Sequence, residues 1–471
     1  MRCWSSAASF CTERAGQALE SMFAEQLNDH VDELAHHYSL SGNDAKAVEY
    51  LVRAGDQAHQ RSTFAEAAGY FEAALKRLKE LPLDVERDRW EIAICAGLAD
   101  VTILTSGYAA AEYERHLTRR YEIAERLGDA TQLFFSLVGV SVLATFRLEL
   151  RKAREIGGRL LALADEALDP RMQLEAHGSL ANILWHLGDF RDAREHCRRG
   201  LALFAPNEHL PAGREHWRAA FQFYDCLCAA TLGFSDEGLQ RSLEFLARAR
   251  ERALPLPLAF ATNCVSTVFV WRRESEQALK YADALVTLTV EQGFNNWHSF
   301  AQIDRGHALA LSGKGNEAIA AIKSAIASYE ATGAVVPGWM HSSLAFGYLA
   351  AMQPAEGLRV VAKGLEVGDK TGDAEAKSEL QRLKGELLLM CDPTAAAQAE
   401  TSFRAAIDTS REQHARLSEL RATMSLARLL AKQRRRDEAH VMLAEIYGWF
   451  TEGFDTADLQ DAKALLDELN G

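Results

Sequence analysis

The sequence predicts an all-α fold: a solenoid of about ten helical hairpins stacked into a superhelix and finished by a C-terminal capping helix. Three observations lead there. All nine prolines fall at breaks between apolar-periodic stretches, at Pro82, Pro170, Pro206, Pro211, Pro255, Pro257, Pro337, Pro354 and Pro393. A residue that lacks an N–H and clashes with the preceding turn marks helix boundaries. Between the breaks, apolar residues recur every three or four positions, with no sustained strand-like alternation. Small residues then repeat at a steady interval, at Ala47, Ala111, Ala153, Ala193, Gly238, Ala278, Ala318, Gly357, Ala399 and Ala439. The first step includes an extra helix around Ala67; the later steps are 42, 40, 45, 40, 40, 39, 42 and 40 residues. Such a period marks a stacked hairpin array.

Each hairpin carries the same parts in the same order. In "LANILWHLGDFRDAREHCRRGL" (Leu180–Leu201), Ala181 and Leu184 lie on a first helix. Gly188 opens the turn, Phe190 follows, and Ala193 sits where the second helix crosses the first. Gly42 and Ala47 take those places in "LAHHYSLSGNDAKAVEYLVRA", and Gly306, Gly313 and Ala318 in "GHALALSGKGNEAIAAIKSAI". The crossing residue is small because helix axes approach to about 8–10 Å only where side chains permit it. One hairpin cannot bury its apolar face alone, so neighbours must stack.

The tail "IYGWFTEGFDTADLQDAKALLDEL" (Ile446–Leu469) departs from the repeat. Gly453 is expected to break one helix and Asp455 to cap the next. Leu459, Ala462, Leu466 and Leu469 would form the apolar stripe of a lid on the last hairpin. Tyr447, Trp449, Phe450 and Phe454 would wedge the bend. The expected organisation is a helical remnant or linker at 1–30, hairpin repeats at 31–450 and a capping segment at 451–471.

With 471 residues, 48% of them hydrophobic, the chain can bury a large core. The formal net charge of −14 argues against nucleic acid as a direct partner, because a duplex-binding surface needs a basic stripe. The short basic clusters at Arg151–Arg154, Arg198–Arg199 and Arg434–Arg436 read as solvated helix ends. The eight cysteines form no C-x-x-C pair, the pattern of free thiols in a reducing cytosol, so a cytoplasmic protein is expected. The longest uncharged stretch, Ala130–Phe146, is short for a membrane span and reads as a buried core helix.

In stacked hairpins the first helix of each pair lines the concave groove. Asn182, Trp185, Asn263, His307 and Trp339 all fall on first helices. They define either a groove for a protein segment, a peptide or a small molecule, or a set of packing residues. In the second case the asparagines bond neighbouring helices and the tryptophans fill gaps between repeats. "HVDELAHH" (His30–His37) puts His30, Glu33 and His37 on one helix face, but no second Glu-x-x-His completes a di-metal site. No Ser–His–Asp or Cys–His arrangement is present. "SGKGNEA" (Ser312–Ala318) lacks the spacing and hydroxyl of a phosphate-binding loop. The reading is a binding protein and not an enzyme, with no catalytic residue, cofactor or metal.

The order of glycine turn, aromatic, alanine and large apolar residue resembles the tetratricopeptide repeat, with longer arms than that family's usual 34-residue unit. Longer stretches are more particular: "HVDELAHHYSLSGNDAKAVEYLVRAGDQAHQRSTFAEAAGYFEAAL", "RLKGELLL", "SELRATMSLARLL" and the tail itself. These look like the C-terminal repeat region of bacterial signalling proteins that join a class III adenylate/guanylate cyclase domain to a P-loop ATPase of the signal-transduction type. The resemblance implies a regulatory, partner-docking or ligand-sensing arm. It also implies an alternative, a fragment whose catalytic domains lie upstream of this start.

Overall fold

The computed structural model describes residues 2–205 and 212–470, and among them every regular element is a helix. Two compact units meet at the Val140–Ser141 bond. The first contains α1 (Arg2–Met22), α2 (Val31–Ser41), α3 (Asp44–Gln60), α4 (Phe64–Leu78), α5 (Val85–Thr105) and α6 (Ala111–Leu127). Helix α7 (Ala130–Phe146), the uncharged stretch, carries the boundary. The second unit continues with α8 (Leu150–Ala167), α9 (Pro170–His186), α10 (Phe190–Ala202), α11 (Ala212–Thr231), α12 (Ser235–Arg252), α13 (Pro255–Trp271) and α14 (Ser275–Gln292). Then come α15 (Asn295–Leu311), α16 (Gly315–Glu330), α17 (Gly338–Ala350), α18 (Pro354–Thr371), α19 (Lys377–Cys391), α20 (Ala396–Glu412), α21 (Arg416–Lys432), α22 (Arg436–Tyr447) and α23 (Ala457–Asn470). Pro170, Pro255 and Pro354 open helices at their first position. Pro206 and Pro211 lie outside the described residues.

The hairpin register follows one local rule. Gly42, Gly188 and Gly313 adopt left-handed φ of 76°, 77° and 79°, each five residues before its crossing alanine. Leu148, Arg273, Met352 and Arg434 do the same with φ between 53° and 64°, and each also lies five residues before a crossing residue. The hydrogen bonds are common to both sets: Gly188 and Asp189 donate back to Trp185 and Leu184, as Arg273 and Glu274 donate to Val270 and Phe269. This pair of hydrogen bonds closes the helix end. A side chain in this conformation costs roughly 1–2 kcal/mol, which the stacked hairpin outweighs. Ala47, Ala153, Ala193, Ala278, Ala318, Ala399 and Ala439 have no exposed surface. Ala111 is the exception: it begins α6 and is exposed, while Tyr113 and Leu117 supply the buried face.

In the first unit, α1 docks on α2 and α3. The Tyr38 ring lies where a side chain on Gly16 would have to go, and the Glu20 carboxylate accepts from Tyr38, Tyr50 and Lys46 at 2.8, 2.5 and 2.9 Å. In the second unit, each odd-numbered helix from α9 to α23 also touches the next odd one. The odd helices therefore form the inner layer. The tail packs on α21 and α22 through Leu459, Ala462, Leu465 and Leu469, so Leu465 rather than Leu466 completes the buried stripe. Gly453 makes the expected left-handed break at φ 78°. Asp455, expected as a cap, instead reaches Arg272 at 3.1 Å.

That contact belongs to a seam that closes the second unit on itself. Hairpin turns of early repeats meet inter-hairpin loops of later ones, in order along the chain. Val335 N–H donates to the Phe146 carbonyl, and Ala374 and Glu375 N–H donate to that of His186. Asp236 and Glu237 N–H, at the start of α12, both donate to Glu452 Oε1 at 2.9 and 3.0 Å, while Gly453 N–H returns a bond to Asp236. Trp449 packs on Phe234 and under the Arg416 guanidinium. Arg273 bridges Asp458 and Asp461, and Arg421 binds both Asp458 and the Trp271 carbonyl. The His186–Asp373, Arg272–Asp455, Arg273–Asp458 and Arg273–Asp461 partners lie 187, 183, 185 and 188 residues apart. One superhelical turn therefore takes between four and five hairpins.

Candidate functional site

The inner layer of the second unit carries two kinds of surface. One is an aromatic ladder that gains a rung with each repeat. Phe223 on α11 meets Phe260 on α13 edge-on at 5.7 Å; Phe260 meets Trp297 on α15 at 4.2 Å. Trp297 meets Phe300 at 5.5 Å, and Phe300 meets Trp339 on α17 at 5.6 Å. Phe260 and Trp297 are buried, whereas Phe223, Phe300 and Trp339 are half-buried. A second aromatic group stands toward the helix C-termini. Trp185 stacks on Trp271 at 6.1 Å and 17°, with Phe190 and Tyr224 against it.

The other surface is polar. His307 Nδ1 lies 3.4 Å from Ser343 Oγ and its ring lies on Phe346. Burial pushes this imidazole down to about 4, with Arg421 and Arg382 adding to the shift against Glu379, so it is neutral at physiological pH. Arg382 holds Glu379 through two bonds of 2.6 and 2.8 Å. Burial works against the Glu379 charge, but Arg382 and Arg421 keep its carboxyl below the usual range. Glu386 accepts from Ser425 at 2.6 Å. Glu375 is pushed up to about 8 by burial and by Asp373 beside it, and its Oε2 is buried without a partner. Its neighbour Asp373 accepts from Gly338 N–H and pairs with His186.

The five residues singled out in the sequence separate here. Asn182 is partly exposed and accepts from Tyr224 Oη at 2.9 Å. Asn263 is buried and donates to Asp304 Oδ2 at 3.0 Å, where Thr267 also donates at 2.9 Å. That amide is spent between neighbouring helices. Trp185, His307 and Trp339 join the clusters described above. Sequence reasoning missed Phe223, Tyr224, Phe260, Trp271, Trp297 and Phe300. Their signal was an aromatic recurring on successive first helices at the repeat interval. His30 Nδ1 lies 3.0 Å from Glu33, and no group of three metal-ligating side chains occurs among the described residues. The chemistry on offer is apolar and π contact, amide and hydroxyl hydrogen bonding, and charges already paired within the protein.

No known family model matches the chain. A protein of Rhizobium meliloti (strain 1021), itself uncharacterised, is 24% identical over 416 residues, covering 84% of this chain and 39% of that protein. The chain thus spans about two-fifths of the length of the relative it matches. Among solved structures, a Rap protein complexed with Competence and Sporulation Factor is similar at a TM-score of 0.56 and 12% identity, over 80% of this chain and 99% of that one. A looser likeness, TM-score 0.36 at 14% identity over 99% and 95% of the two chains, is to yeast Tom70. The fold is an all-α, tetratricopeptide-like helical solenoid. No helix among the described residues is long and apolar enough to cross a membrane.

Proposed function

We propose that the protein is a non-catalytic interaction module whose second unit receives a peptide or protein segment on its inner surface. The carrying observation is the ladder Phe223–Phe260–Trp297–Phe300–Trp339, which leaves half-buried aromatic side chains on α11, α15 and α17. Regularly spaced apolar faces beside polar side chains suit an extended segment better than a compact metabolite. The bound factor named for the Rap structure agrees with this reading. The net charge of −14 disfavours nucleic acid. Free thiols at Cys197, Cys228 and Cys264, each raised by burial, fit a reducing cytoplasm.

In its finer form the module is the regulatory arm of a bacterial signalling ATPase or nucleotide cyclase. The sequence resemblance and the greater length of the Rhizobium protein support that form. An in-frame G-x-x-x-x-G-K-[ST] in the DNA upstream of Met1 would add the ATPase itself; an unrelated or terminated reading frame would remove this finer form. The binding reading is tested with a displayed random-peptide library on the immobilised chain. Enriched peptides are expected to bind Phe300→Ala/Trp339→Ala about tenfold or more weakly, as loss of aromatic anchors requires. No enrichment, or equal binding to the variant, refutes it.

A further inference from the structure

The stack and the seam of the second unit are built from different materials. Hairpins stack through buried apolar side chains, such as Leu443, Ile446, Leu459 and Ala462 around α22 and α23. The seam is mostly hydrogen bonds and ion pairs between loops and the ends of helices. Several of its carboxylates are wet: Asp455 is 73% exposed at its side chain and Asp461 44%. Exposed pairs of this kind are weak and screened by salt.

The buried charges at the seam are each partnered twice, once across it and once on their own side. Arg272 pairs with Asp455 across the seam and with Asp236 and Glu274 beside it. Asp458 pairs with Arg273 across the seam and with Arg421 on its own side. Asp373 pairs with His186 across it and keeps the Gly338 N–H on its own side. Parting the seam therefore leaves no buried charge without a partner, the circumstance that makes breaking an ion pair expensive. The amides released, at Val335, Ala374, Glu375, Asp236, Glu237 and Gly453, lie in loops and at helix ends, where water replaces the lost partner.

We infer that the seam is a clasp: the coil of the second unit opens along it while the hairpins stay stacked, and residues 449–461 are its last fastening. Opening widens the approach to the inner aromatic ladder. The inference goes beyond the binding reading and stands without it, since it concerns the coil alone.

Hydrogen exchange on the full chain tests it. The seam amides of Val335, Ala374, Glu375, Asp236, Glu237 and Gly453 report opening; interior amides of α13 and α21 report the stack. Raising NaCl from about 0.1 to about 1 M shortens the screening length from about 10 to about 3 Å. The seam amides are then expected to exchange about tenfold faster while the helix interiors hold their rates. Arg273→Gln should produce the same pattern at low salt. Seam amides indifferent to salt overturn the inference. So does acceleration only in step with the helix interiors, which would make seam and stack one cooperative unit.

Discussion

Ala318 is the most direct test of the hairpin register. It is fully buried in α16 and packs beside Leu309, Ala310 and Phe346. A side chain added at Gly347 on α17 would come within 3.8 Å of the Ala318 Cβ, and one at Gly306 on α15 within 3.2 Å of its carbonyl oxygen. Three helices converge on one methyl group. Ala318→Leu inserts three further carbons where none of the three backbones can retreat without parting from its neighbour. Overpacking of this kind costs about 1–3 kcal/mol. Ala327 lies on the same helix and is exposed, so Ala327→Leu should stay within about 0.5 kcal/mol of the parent. Urea titration followed by circular dichroism gives the two midpoints, and hydrogen exchange of α15–α17 localises the loss. Equal midpoints, or a loss seated elsewhere, would refute the crossing assignment.

Ending the chain after Phe450 removes the buried Leu459, Leu465 and Leu469 and takes Asp455, Asp458 and Asp461 from their arginines. A lower melting temperature and self-association in the ultracentrifuge are expected; a monodisperse chain with an unchanged melt refutes the lid. At His177, burial, helped by His196 and Arg199, pushes the imidazole down to about 4, with its Nδ1 2.8 Å from that of His196. The folded state thus resists a proton that the unfolded chain takes up near pH 6.5, so this contribution is complete above that value and is lost as pH falls toward the folded value. His177→Leu should flatten the acid limb of the stability profile by about 1–3 kcal/mol, and a profile parallel to the parent's would count against it.

The hairpins were legible because glycine and alanine announce backbone demands. Gly42, Gly188 and Gly313 declared their turns, and the crossing alanines declared close helix approach. The same turn at Leu148, Arg273, Met352 and Arg434 carried no such mark; there the conformation is imposed by the stacked hairpin, and only the five-residue offset to the next small residue betrays it. Ala111 shows the reverse error, a small residue in register that begins a helix instead of crossing one. The tail's apolar stripe was visible for its 3.6-residue period. Its acids were not interpretable, because Arg272 and Arg273, which they meet, are 183–188 residues away, and even Arg421 is 37 residues from Asp458, so no local pattern encodes them. The inner layer was partly visible: Trp185 and Trp339 stood out as tryptophans on first helices, while Phe223 and Phe300 drew no notice because a phenylalanine on an apolar helix carries no mark of its own.

An open array of hairpins can gain or lose a member at little cost, since each touches only its neighbours. The seam removes that freedom. Suppose one 40-residue hairpin were inserted between α15 and α22. Every stacking contact could be rebuilt, yet Asp455 would arrive one station farther round the coil and meet a different turn from that of Arg272. A deletion would bring it up one station short. The coil in effect counts its own hairpins, and a change in their number is felt at the closure even where the local sequence of each hairpin is faultless.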